Sequence, residues 1–182
     1  MLRAFLNLYR IPLVLSLTLA VILVSFTVET RLLQIVLITA GSILGAFILD
    51  LDYVLHAYFL EPEADFSRTL KTYIEHRDFK SAINFVITHK GDVTEKTLNS
   101  GLFQVVLIAL LFFVIYSDVN VGLKAFLLAI YLNSIYKFVE NYYIHKSFDD
   151  WFWFMQASPK KEVVALCVIA LLSFFLYFIF YF

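Results

Sequence analysis

Five stretches of the chain are long and apolar enough to cross about 30 Å of hydrocarbon: Ile11 to Val28, Leu32 to Leu49, Leu98 to Tyr116, Val121 to Val139 and Val163 to Phe182. Runs of that length leave few folds open. Backbone inside lipid must satisfy its own polar groups, so each run is expected to be a helix. The expected fold class is all-α, a polytopic transmembrane helical bundle of about five spans. Composition agrees, since 62% of the 182 residues are hydrophobic and 18% aromatic, with a mean hydropathy of +0.83. Soluble domains hold roughly 45–50% apolar residues, and a soluble core of this size could not hide the excess. Residues 1–182 read as one integral membrane domain, with 61–97 inserted as a cytoplasmic amphipathic segment.

Pro12 is expected in the first turn of span one, where its missing N–H does little harm. The short VETR and SDVN connections make spans one and two, and spans three and four, into helical hairpins. Five spans then place twelve of the fourteen lysines and arginines on one side, leaving only Arg31 and Lys124 on the other. The positive-inside rule puts the N-terminus and both long loops in the cytoplasm and Phe182 outside, as in a multi-pass protein of the cell's inner membrane. Arg3 and Arg10 precede span one as in a signal sequence, but no A-x-A-like site follows, so an uncleaved anchor is expected. The net charge of −1 provides no basic field for nucleic acid. Cys167 is the single cysteine, which rules out an internal disulfide and a cysteine-based zinc site. The partners expected are the bilayer and a protein at the cytoplasmic helices.

Asp50, Asp52 and His56 interrupt the otherwise apolar run FILDLDYVLHAYFL. Ionisable residues inside membrane segments are functional candidates because their burial is costly. Eighteen residues from Leu32 to Leu49 rise about 27 Å, so these groups lie near the cytoplasmic edge, where a wet helix end also accounts for them. Span three opens at Asn99-Ser100, and span four ends with Asn133, Lys137, Glu140, Asn141 and His145 along one helical stripe. Lys137 and Glu140 can neutralise each other within that helix, or Lys137 can balance Asp50 and Asp52. At 100° per residue, Asp50 and Asp52 face opposite ways on a continuous helix, while Asp52 and His56 share a face. Asp52 is expected to face the seam on span four, and Asp50 to point to another helix, a loop or headgroup water. No proline and no glycine nearer than Gly45 forces a break there. Gly41-x-x-x-Gly45, beside Ser42 and Ala46, suits close packing of a second helix.

Between spans two and three, Phe66, Leu70, Tyr73 and Ile74, then Phe79, Ile83, Val86 and Ile87, recur at helical spacing. Two short amphipathic helices are expected, on the membrane surface or capping the bundle mouth. DDWFWFM after span four reads as an interfacial aromatic segment, with a ligand-binding aromatic box as the sharper alternative. The chain has no glycine-rich phosphate loop, no H-E-x-x-H, no nucleophile elbow and no internal repeat.

The stretches Leu49-Asp50-Leu51-Asp52, His89-Lys90-Gly91, Leu98-Asn99-Ser100 and Asn133-x-x-x-Lys137 follow one another across roughly residues 40 to 140. In order and membrane position they resemble a family of bacterial membrane-bound metal-dependent hydrolases. That family has P-D-x-D closing one helix, an H-R-G-like element, T-H-S opening the next helix and a later H-x-x-x-D. The resemblance implies metal-activated water attack at a divalent ion, with Asp50, Asp52 and His89 as ligands. The chain departs from the pattern at Leu49, Asn99, Asn133 and Lys137, which stand where the family has proline, two histidines and an aspartate. Asparagine amides are poor zinc or iron ligands, and a lysine puts a cation where the metal would sit.

These departures point to a degenerate relative of the hydrolases, with no cofactor, acting as a membrane anchor or assembly subunit. Two alternatives stand beside it. One is an active hydrolase that uses the divalent metal. The other is a small proton- or ion-coupled transporter using the seam from Asn133 to His145 with Asp52; the wider polar seam comprises His56, Asn99, Asn133, Lys137, Glu140 and His145.

Overall fold

The computed structural model describes residues 2–27, 31–89, 97–145, 151–152 and 161–182. Helices are the only regular elements among them. They are α1 (Leu2–Thr27), α2 (Leu32–Ile48), α3 (Asp52–Leu55), α4 (Asp65–Glu75), α5 (Phe79–His89), α6 (Gly101–Ile115), α7 (Val121–His145) and α8 (Lys161–Phe180). A 3₁₀ turn at Leu49–Leu51 and a π turn at His56–Leu60 join α2 and α3 into one uneven rod. Lys90, Gly91, Lys96, Lys146, Lys160 and most of DDWFWFM lie outside the described residues, as do the side chains of Arg3, Ile87 and His145.

Four helices are long and apolar enough to cross a membrane: Tyr9–Thr27, Leu32–Leu60, Val121–Tyr143 and Lys161–Phe180. Their outer surfaces agree. Val21, Leu44, Leu166 and Phe180, with Phe113 of α6, are 59–72% exposed, an apolar exterior that suits lipid and not water. α6 is also apolar but has only 15 residues, rising about 22 Å. The expected span from Leu98 to Tyr116 is therefore shorter as a helix. Asn99 and Ser100 lie ahead of it, and Ser100 caps it by accepting from the Phe103 N–H at 3.3 Å.

α2 and α7 run side by side in the same direction, with α1 against both and α6 and α8 against α7. The small residues set that spacing, as expected for the Gly41 and Gly45 pair. A Cβ on Gly45 would lie 2.7 Å from the Ala129 Cβ and from the Phe126 carbonyl oxygen. A Cβ on Gly41 would strike the Gly122 carbonyl, and one on Gly122 would sit 3.0 Å from the Leu37 carbonyl. Backbone thus meets backbone along two turns. Leu23, Leu49, Leu107, Leu128 and Tyr131 complete the buried centre.

Three local expectations are revised. Pro12 lies inside α1, which begins at Leu2, and not in a first turn; transmembrane helices tolerate such a proline because neighbouring groups take up the freed carbonyl. The rod from Leu32 to Leu60 changes winding at Leu49 without any proline or glycine. The apolar face of α5 is rotated. Ala82, Phe85 and Val86 pack on Phe66, Leu70 and Tyr73 of α4, whereas Phe79 and Ile83 stay exposed.

Both amphipathic helices exist, and the turn between them is well specified. Arg77 takes a left-handed φ of 56°. The N–H groups of Arg77 and Asp78 then return to the Ile74 and Tyr73 carbonyls at 3.0 and 2.9 Å, the Schellman pattern that closes a helix. Asp78 caps α5 by accepting from the Ser81 N–H at 3.1 Å, and the Ser81 hydroxyl together with that N–H holds its carboxyl below the usual range.

Candidate functional site

The polar residues gather where α2 ends, α7 nears its end and α6 begins. Asp52 is buried, and a buried carboxylate must be paired or hydrogen-bonded. It accepts three N–H groups: Thr97 N–H on Oδ1 at 2.8 Å, and Asn99 N–H and Nδ2 on Oδ2 at 2.9 and 3.0 Å. Charge-assisted bonds of this kind are about twice as strong as neutral ones. The Asn99 amide also donates to the Leu49 carbonyl at 3.0 Å. A side chain bonding a ladder carbonyl is a recognised cause of helix irregularity, and the 3₁₀ turn starts at Leu49. Asn99, far away in sequence, thus supplies the break that no nearby residue signals.

Asp50 projects to the other side of the rod. Its carboxylate is paired with the Lys137 ammonium of α7, and the Tyr9 hydroxyl of α1 stands beside it. Three helices meet on one carboxylate. The faces are the reverse of those expected, because Asp50 faces α7 and Asp52 faces the residues before α6. Lys137 does not pair with Glu140, which accepts instead from the Tyr136 hydroxyl at 2.9 Å.

The remaining candidates are dispersed. Asn133 lies one turn deeper and is fully buried, donating to Ser16 Oγ at 2.9 Å and to the Ala129 carbonyl at 2.8 Å. His56 is buried edge-on against Phe66. Its Nε2 lies 3.7 Å from a Glu61 carboxylate oxygen, and its Nδ1 has no partner. It does not bond Asp52, although the two share a helical face. His89 ends α5, exposed, with its ring 4.4 Å from that of Phe85 and Nδ1 3.1 Å from the Phe85 carbonyl. Among the described residues no three histidine, cysteine, aspartate or glutamate side chains stand together. Asp50, Asp52 and His89 are thus not brought together in this structure. The donor chemistry does not fit a divalent ion either, because an ammonium occupies Asp50 and three N–H groups occupy Asp52.

Some participants carry no sequence signal of their own. Tyr9 and Thr97 could be placed at the mouth only by depth, and Ser16 and Gln104 are single polar residues within apolar runs. Trp151 is buried; its ring packs 5.1 Å from Phe138, in a cluster with Val164. No protein-family model, curated protein or solved structure matches the chain.

Proposed function

We propose that this chain is a non-catalytic multi-pass membrane protein, an anchor or assembly subunit built on a scaffold resembling that of the membrane-bound metal-dependent hydrolases. The observation that carries this reading is the use of the two aspartates as helix braces. Asp50 ties α2 to α1 and α7, and Asp52 ties α3 to the start of α6. A carboxylate has about four acceptor sites, and three on Asp52 are spent on N–H groups. In this reading α6, lengthened by residues 97–100, is the third of five crossings. The N-terminus and the loop holding α4 and α5 are cytoplasmic, in the inner membrane, and α4 and α5 present the surface for a protein partner.

The test is thermal unfolding in detergent of the wild type and Asp52→Asn, each with a chelator and with added zinc or manganese. A bracing role predicts that the variant is less stable by about 1–3 kcal/mol in chelator. Neither protein should gain stability from the ions. A variant as stable as wild type in chelator, but lacking an ion-dependent gain that wild type shows, would favour the metal-dependent hydrolase.

A further inference from the structure

A cleft of about 380 Å³ lies between α6 and α8, floored by Phe138 and Phe152. That volume falls in the range of small-ligand pockets. Among the described residues its walls are almost wholly apolar, and several of them, Val105 and Phe174 included, belong to the exposed exterior of the helices. The cleft therefore opens sideways, toward the hydrocarbon that surrounds the bundle.

Among the described residues, one polar side chain lines it. Gln104 is only 4% exposed and sits one turn into α6, close to the level of Asp52 and Asn99. Its orientation is determined by chemistry. The Trp151 indole N–H can only donate, and it points at Gln104 Oε1 at 3.4 Å. The amide nitrogen must then be the free end, and Nε2 has no partner. An unmet donor in an apolar site is costly and favours any acceptor that can reach it. Gly101 contributes too: a Cβ there would lie 3.0 Å from the Phe152 ring, so glycine lets Phe152 lie flush across this end of the cleft without shifting the ring. Trp151 is held in place by its carbonyl, which accepts the Gly101 N–H at 3.0 Å.

We infer that the cleft is a lipid site: it takes one acyl chain of an ester-linked bilayer lipid, whose ester carbonyl accepts the hydrogen bond from Gln104 Nε2. Hydrocarbon matches the walls, and the lateral opening admits a chain from the bilayer. The donor stands near the head-group end of the helix, where a lipid carries its ester carbonyls. An ether-linked lipid offers the same chain without that carbonyl.

The wild-type protein is placed in nanodiscs of a diester phosphatidylglycerol or of its diether analogue. Two quantities are measured: lipid retained per chain by native mass spectrometry, and the rate of maleimide alkylation of Cys167. This is the lone cysteine of the chain, and it lines the cleft. One diester lipid should stay bound per chain, and Cys167 should react about fivefold more slowly than in the diether disc, as one hydrogen bond implies. Gln104→Leu should abolish that preference while leaving the protein monodisperse. If the variant does not fold, the wild-type comparison of the two lipids decides alone. Equal retention and equal alkylation in both lipids would overturn the inference. So would protection of Cys167 that follows protein concentration and not lipid chemistry, since a second copy would then fill the cleft.

Discussion

Lys137 carries an ammonium on a helix whose neighbouring turns are buried among apolar residues, and such a charge needs a counter-ion or water. Asp50 supplies the counter-ion, and both side chains are less than one-quarter exposed. Removing one partner of such a pair strands the other, whereas removing both does not. Lys137→Met and Asp50→Asn should each destabilise the protein in micelles, and the double variant should lose less than their sum. The coupling should lie between about 0.5 and 3 kcal/mol; strict additivity would refute the pairing. The need for a partner was legible in the sequence, and Asp50 lies within the expected region. Its face was not legible. A wheel drawn through Leu49 assumes uniform winding, and the bond from Asn99 to Leu49 comes from a residue with no local relation to that turn.

At the scale of elements, the α2–α7 contact depends on glycines. Gly45→Val would force side-chain atoms into the Phe126 backbone, which cannot yield as a flexible side chain can. Overpacking of this kind costs typically 1–3 kcal/mol. Ala40→Val, on the exposed side of the same helix, should change stability by no more than about 0.5 kcal/mol. Chemical unfolding of the two variants in one detergent compares them directly, and equal losses would contradict the packing described. The small-x-x-x-small spacing announced this contact because few other roles put two glycines on one face of a span. The turn between α4 and α5 offers the opposite experiment. Arg77 holds a conformation that costs an L-residue roughly 1–2 kcal/mol, so Arg77→Gly should raise the unfolding midpoint. No gain would mean that the turn is not a cooperative part of the fold. Helical spacing located α4 and α5 but misjudged the face of α5, because Ala82 is too small to weigh in a pattern that Phe79 and Ile83 dominate.

For the whole molecule, the apolar runs made the architecture legible, and α6 marks where run length misleads. Leu98 to Tyr116 is apolar enough for a span, yet Asn99 and Ser100 are engaged in clamping Asp52 and capping, so the helix starts later. Reporter fusions at Lys90 and after Phe182 should report opposite sides of the membrane; the same side for both would remove one crossing from the proposed topology. The resemblance to metal-dependent hydrolases and the bracing geometry make different demands on the same aspartates. Total-metal analysis of the intact protein, purified without chelator, separates them most directly. The bracing account predicts zinc, iron and manganese far below one ion per chain, unchanged by Asp52→Asn. One ion per chain, lost on that substitution, would contradict it.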